Sequence, residues 1–87
     1  MCTMISTKHP LRGQAKGRAG WFPIRQLYVA YDHPAREQVE HAVLLDFANE
    51  EAGPGARVAV ELSIETATDL ARHILETVAH ANRYEGR

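Results

Sequence analysis

Three polar side chains in the middle of the chain are of the types that move protons in enzymes. They are Asp46, His33 and His41. A carboxylate and an imidazole can each take up and release a proton, which is the chemistry of a cyclisation or an isomerisation. Asp32 and Glu40 flank the two histidines. We therefore predict Asp46, His33 and His41 as catalytic residues.

The same histidines allow two other interpretations. Two imidazoles beside carboxylates suit a divalent metal, with Cys2 as a further ligand if the first strand lies alongside. However, the chain has no His-x-x-x-His or Cys-x-x-Cys spacing, so we predict no metal site and no cofactor. In the simpler alternative, Asp32 and His33 shape the turn before Pro34.

Asp46 lies inside an apolar segment and therefore needs a partner. Burying an isolated carboxylate is very costly. In a ligand cavity, Asp46 would act as general base with Tyr28 as its hydrogen-bond partner. At a subunit interface it would instead pair with an arginine, for example Arg25 or Arg57, and we favour this pairing.

The first twenty-five residues carry five positive charges and no carboxylate. The stretch from Pro10 to Gly20 is rich in glycine, which lets backbone N–H groups approach an anion closely. It lacks the Gly-Lys-Ser/Thr ending of a phosphate-binding loop, and it opens no helix as a dinucleotide fingerprint does. We predict a loop that holds a carboxylate or a phosphate, or else a plain solvated loop. The predicted ligand-binding residues are Lys16, Arg18, Trp21 and Tyr28.

The elements that position these residues follow from apolar periodicity. Alternating patterns predict four strands, and a pattern with spacings of three and four predicts one helix. Ser63 is a good N-cap for that helix, and Glu65 lies in its first turn, where negative charge is favourable. The predicted bounds are about 2–8, 24–33, 41–47 and 56–62 for the strands and about 64–82 for the helix.

Pairing the second and third strands with His33 opposite His41 separates their side chains into two faces. One face is apolar and is expected to meet the helix; its pairs are Tyr31/Val43, Val29/Leu45 and Leu27/Phe47. The other is mixed; its pairs are Asp32/Ala42, Ala30/Leu44 and Tyr28/Asp46. A single helix covers one face of a sheet, so the mixed face is expected to line a ligand cavity or to pack on a second subunit.

The sequence thus predicts an α+β fold: a four-stranded antiparallel sheet with one C-terminal helix on one face, forming a homodimer. Eighty-seven residues form a single domain, 1–87. One cysteine excludes an intramolecular disulfide and fits the cytoplasm. We find no signal peptide or membrane span. A net charge of −1 argues against nucleic-acid binding.

Several ordered pieces of the chain resemble an uncharacterised family of short actinobacterial proteins. They are Met1–Met4, Lys16–Arg18 with Gly20–Phe22, Tyr31–His33, Glu40–His41, Leu44–Phe47 and Gly53–Leu62. The resemblance implies a bacterial cytoplasmic protein, an accessory in specialised metabolism, and supplies no catalytic residues.

The expected function is binding of a small anionic or aromatic metabolite. Whether the protein is also an acid–base enzyme of the cyclase or isomerase kind stays open. The alternative is a non-catalytic homodimeric module for protein interaction or regulation.

Overall fold

A computed structural model describes residues 5–86 and shows an antiparallel sheet followed by one long helix. The strands are adjacent in the sheet in chain order, so the sheet is a simple meander. The predicted α+β fold is confirmed; residues 2–4 of the predicted first strand lie outside the described part. The elements are β1 (Ile5–Gly17), β2 (Gly20–Asp32), β3 (Ala42–Ala48), the short 3₁₀ helix η1 (Glu50–Ala52), β4 (Arg57–Leu62) and α1 (Ile64–Tyr84).

The pairing of β2 with β3 has the predicted register. Tyr28 is opposite Asp46, and the pairs run from Gln26 with Ala48 to Asp32 with Ala42. The next residues out are His33 and His41, whose rings lie against each other with centroids 4.6 Å apart. Alternation along these two strands therefore places Asp46 and the two histidines on opposite faces.

The predicted loop from Pro10 to Gly20 is wrong, because this segment forms the far end of a long hairpin. Strands β1 and β2 pair up to Gly17 and Gly20, with a register shift between Pro10 and Gly13. Pro10 is tolerated because β1 is at the edge of the sheet, where its missing N–H is not needed. Gly20 has a φ of 119°, a conformation that side-chain-bearing residues rarely adopt, and it closes the turn after Arg18 and Ala19.

The hydrophobic core is small and lies where the hairpin end meets the start of β4. Its buried members are Phe22, Ile24 and Ala56. The partly buried apolar side chains around them are Leu11, Ala15, Phe47 and Val58. Packing is close at Gly17, where a Cβ would come within 3.1 Å of the Phe22 ring and would require the ring to shift by a few tenths of an ångström.

Helix α1 begins as predicted and extends two residues past the predicted end. The Ser63 side chain accepts a hydrogen bond from the Thr66 N–H at 3.1 Å, and Glu65 and Arg83 lie at the ends that suit their charges. However, no residue of α1 is buried, so its apolar stripe is not covered by the sheet of its own chain. Only Ser63 separates β4 from α1, which leaves no loop to turn the helix back over the sheet.

The dimensions agree with a helix that extends from the sheet. The radius of gyration is 14.7 Å. A compact chain of this length would have a radius of about 12 Å. The apolar stripe of α1 therefore stays exposed in the single chain.

Candidate functional site

The three predicted catalytic residues do not form one site. Ala42 and Asp46 are four residues apart in β3, which is about 13 Å along a strand, and His41 precedes Ala42. His33 lies against His41 and places its Nδ1 3.1 Å from the carbonyl oxygen of Glu40. The two histidines therefore lie against each other at the two ends of the β2–β3 connection, far from the Asp46 carboxylate.

Asp46 is paired with an arginine, as favoured by the sequence. The Arg57 guanidinium donates two hydrogen bonds to this carboxylate, 2.6 Å from Nη2 to Oδ2 and 3.3 Å from Nε to Oδ1. The pair follows from the strand register, since Asp46 on β3 is opposite Ala59 on β4, two residues from Arg57. A bidentate pair holds both side chains in fixed positions.

Tyr28 does not bind Asp46, although the two are cross-strand partners. Its hydroxyl instead donates to Oε2 of Glu50 at 2.7 Å, and the Lys8 ammonium lies 3.5 Å from the other oxygen of Glu50. The Tyr28 hydrogen bond, and after it the charge of Lys8, lowers the pKa of Glu50. The Tyr28 hydroxyl and the Glu50 charge likewise raise the pKa of Lys8.

These polar groups surround a cleft of about 370 Å³ on the mixed face of the sheet. Its lining includes Tyr28, Asp46, Asn49, Glu50, Pro54 and Arg57. Each charged group in the cleft is already bound by another one, so an incoming anion would have to displace Asp46 from Arg57. The cleft is therefore better suited to holding β3, η1 and β4 together than to capturing an anion.

Lys16, Arg18 and Trp21 come together at the end of the hairpin. Lys16 and Trp21 are cross-strand partners, and Arg18 occupies the turn between their strands. Phe22 and Ile24 point into the core, whereas Trp21, Pro23 and Arg25 are exposed, as are Arg12, Gln14 and Lys16. We call this exposed side of the hairpin the basic face; it consists of Arg12, Lys16, Arg18, Trp21 and Arg25.

The cations of the basic face have no acidic partner. Residues 5–31 contain no Asp or Glu. Across the described residues, the side chains of Arg12, Lys16, Arg18 and Arg25 form no salt bridge. Tyr28, the fourth predicted ligand-binding residue, lies seven residues along β2 from Trp21, about 23 Å of strand, and does not belong to this surface.

A shallow groove of about 210 Å³ lies beside Trp21, between the hairpin turn and the segment that follows η1. Its lining is mainly apolar and includes Ala19, Trp21, Phe22, Ala52 and Ala56. A flat ring would fit such a lining, while charged substituents would reach the cations of the basic face. The groove itself gave no signal in the sequence, because it forms only when the hairpin end meets the β3–β4 connection.

Comparison with known proteins places the chain in a family. A family model described as "Family of unknown function (DUF6295)" matches residues 1–86. The chain belongs to DUF6295. No curated protein and no solved structure matches it. The DUF6295 assignment confirms the resemblance to an uncharacterised family and brings no activity with it.

Glu61 forms a further polar site in this DUF6295 chain that the sequence did not indicate. Its carboxylate accepts hydrogen bonds from three consecutive backbone N–H groups, those of Ala35, Arg36 and Glu37, at 2.6, 2.7 and 2.9 Å. These N–H groups, with that of Ala35 first, lower the pKa of Glu61. Glu61 thus fixes the long β2–β3 connection to β4.

Replacement of Glu61 by glutamine is expected to release this connection. Glutamine has one acceptor oxygen and no charge, so amide hydrogen exchange of Ala35, Arg36 and Glu37 should accelerate about tenfold. Because the folded pKa of Glu61 lies below the ordinary value of 4.5, its contribution is complete above pH 4.5 and is lost as pH falls through the folded pKa. Protection of these amides in the wild type should therefore decrease over the same acidic range.

The matched control is Glu65→Gln, which removes an exposed carboxylate from the first turn of α1. Exchange at Ala35, Arg36 and Glu37 should not change in this variant. Equal exchange in wild type and Glu61→Gln at pH 7 would contradict the role given to Glu61.

Two further findings concern metal ions and membranes. Within residues 5–86, no three side chains of His, Cys, Asp or Glu lie close enough together to hold a metal ion. Cys2, considered above as a thiolate ligand, lies outside the described residues. Among the described residues, no helix is long and apolar enough to cross a membrane.

Proposed function

We propose that this protein binds a small ligand that carries both a negative charge and an aromatic ring, at the basic face and the adjoining groove. The observation that supports this proposal is the pairing of Lys16 with Trp21 on a hairpin side that has four cations and no carboxylate. A cation and a ring held side by side match a ligand with an anionic group and a planar group.

The energetics favour an anion at this surface over the cleft beside Arg57. Hydrogen bonds between charged groups are about twice as strong as neutral ones, and the cations of the basic face have no partner to give up. Trp21 is largely exposed and adds a stacking surface for a ring. In the cleft, by contrast, a ligand must break the 2.6 Å contact between Arg57 and Asp46.

The proposal is limited to binding. Proton transfer by Asp46, His33 or His41 stays a prediction. Because Asp46 and the histidines lie on opposite faces of the sheet, they would not act together on one ligand. The cytoplasm is the proposed location, because the single cysteine excludes an intramolecular disulfide.

Tryptophan fluorescence gives a direct test, because Trp21 is the only tryptophan of the chain. The probe is adenosine monophosphate, which joins a phosphate to an aromatic base. We expect a saturable change in Trp21 emission, and the double variant Lys16→Ala with Arg18→Ala should bind about tenfold more weakly because it loses charge-assisted hydrogen bonds.

The matched control is the double variant Arg72→Ala with Arg83→Ala, which removes two cations from the exposed face of α1. It changes the net charge by the same amount and should titrate as the wild type does. If both double variants weaken binding equally, the effect is one of net charge and the proposed site is wrong.

A non-catalytic homodimeric module for protein interaction or regulation is the second candidate function. The uncovered apolar stripe of α1 is the observation that favours it.

A further inference from the structure

Most of the large exposed hydrophobic side chains among the described residues lie on α1, where they form an apolar stripe. Ile74 is 54% exposed, Leu75 69% and Val78 48%, and Ile64 and Leu70 continue the same stripe. Helical spacing brings these side chains to one side, with the charged residues on the other. Monomeric soluble proteins rarely leave a continuous apolar surface of this kind in water.

One face of the sheet is only partly covered by its own chain. Its side chains alternate with those of the mixed face, and from Leu27 to Tyr31 of β2 and along β3 and β4 they are all apolar and partly buried. We call it the apolar sheet face; its members are Leu27, Val29, Tyr31, Val43, Leu45, Phe47, Val58, Val60 and Leu62. Only its end at Phe47 and Val58 is covered, by the core cluster around Phe22.

We infer that a second copy of this chain covers both surfaces, with α1 of each chain packed across the apolar sheet face of the other. Each copy has one exposed helix stripe and one partly covered sheet face that do not pack on each other within the chain. A two-fold axis brings each stripe onto the face of the partner and makes the same contact twice. A different partner would cover one surface and leave the other in water.

The two surfaces have similar lengths. The stripe runs from Ile64 to Val78, about 21 Å of helix. Strand β3, at the centre of the apolar sheet face, has seven residues and spans about 23 Å. A helix of one copy therefore covers the sheet face of the other without leaving a large part of either surface exposed.

The thin core of the single chain is a second reason for this assembly. The buried apolar residues in the described part are Phe22, Ile24 and three alanines. A domain of this size usually needs more burial than that, from a metal, disulfides or a partner subunit. Two helix–sheet contacts would bury the partly exposed side chains of the apolar sheet face and so enlarge the hydrophobic core.

This assignment replaces the expected dimer through the mixed face. That face holds the Arg57–Asp46 pair and the Tyr28–Glu50 hydrogen bond. Charged groups are depleted at the centre of dimer interfaces. The mixed face therefore stays outside the inferred contact.

The first test compares two neighbouring substitutions to glutamate on α1. Light scattering should give twice the mass of the chain for the wild type. Ile74→Glu places a charge in the stripe and should weaken association about a hundredfold or more, since the charge is buried twice in a symmetric dimer. His73→Glu places the same residue on the charged side of the helix and should remain dimeric.

The second test needs no destabilised variant. The thermal midpoint of a dimer that unfolds on dissociation rises with protein concentration, whereas that of a monomer does not. We expect the wild-type midpoint to rise between micromolar and hundred-micromolar protein. A mass of one chain with a constant midpoint overturns the inference, whatever Ile74→Glu does.

The third test asks which surfaces meet. Two proteins carrying Cys2→Ser are mixed under oxidation, one with Ile74→Cys on the helix and one with Leu45→Cys on the sheet. The inferred dimer predicts a disulfide between the two different chains. A disulfide formed only between two Ile74→Cys chains would mean that the helices pair with each other, and the proposed helix–sheet contact would be wrong.

Discussion

Replacement of Phe22 by alanine is expected to lower the free energy of unfolding by about 3 to 5 kcal/mol. Phe22 is only 8% exposed and is the largest buried side chain of the core cluster. Removing its ring leaves a cavity between Ile24, Ala56 and the backbone of Gly17. Chains of this length have a total stability of about 4 to 13 kcal/mol, so this single change removes a large share of it.

The neighbouring Trp21 provides the matched control. It is 69% exposed on the basic face, so Trp21→Ala should change the free energy of unfolding by no more than about 0.5 kcal/mol. Urea unfolding followed by circular dichroism measures both variants at one protein concentration, so that the inferred association would contribute equally to both. Similar losses for Phe22→Ala and Trp21→Ala would contradict the core described here.

The β2–β3 pairing could be predicted because one of its faces is apolar throughout. A slip of one residue would move Leu45 and Phe47 to the mixed face, so only one register keeps the apolar residues together. Asp46 was expected to pair with an arginine because it lies inside an apolar segment, and Arg57 was one of the two examples given. The β3–β4 register that brings these two residues together was not predicted.

The hairpin end was missed because glycine and alanine occupy inward positions of β1, which weakens the apolar alternation that identifies strands. β1 is an edge strand, and seen from the sequence its Pro10 and Gly13 indicate a loop. Strand β1 is held in place by its pairing with β2 and by the packing of Leu11 and Ala15 around Phe22. Such contacts depend on tertiary structure and leave no periodic signal.

The roles of Glu50 and Glu61 were missed for a different reason. Glu61 binds backbone N–H groups, and every residue except proline has one, so no side-chain type identifies its partners. Glu50 binds Tyr28 across 22 positions of sequence. Sequence patterns detect pairs of complementary side chains at short spacing, and neither contact is of that kind.

Helix α1 had the clearest periodicity, and its bounds were predicted to within two residues. The same periodicity indicates that a stripe will be buried, but it contains nothing about which chain buries it. That information lies in the connection, where Ser63 alone joins β4 to α1. The predicted bounds already left one residue between strand and helix. Periodicity alone does not indicate that so short a connection keeps α1 from packing on its own sheet.

After Phe22→Ala, we expect Asn49→Ala to cause the next largest loss in the free energy of unfolding. Its side chain is 5% exposed. The amide donates to the Pro23 carbonyl at 3.0 Å, and the amide oxygen accepts from the Glu51 N–H at 3.1 Å as the N-cap of η1. Asn49→Ala removes the hydrogen bonds to the Pro23 carbonyl and the Glu51 N–H. We expect the free energy of unfolding to fall by about 2 to 3 kcal/mol.

Two further variants separate the functions of this side chain. Asn49→Asp keeps the N-cap oxygen and removes the donor to Pro23, so it tests whether the link between β2 and the β3–β4 connection matters beyond the cap. We expect it to be destabilised as well, because its charge would be largely buried beside a carbonyl oxygen. Glu51→Ala changes an exposed side chain of η1 and should have little effect. If Asn49→Asp were as stable as the wild type in urea unfolding, the cap alone would account for Asn49, and the hairpin end would be held by the core around Phe22 alone.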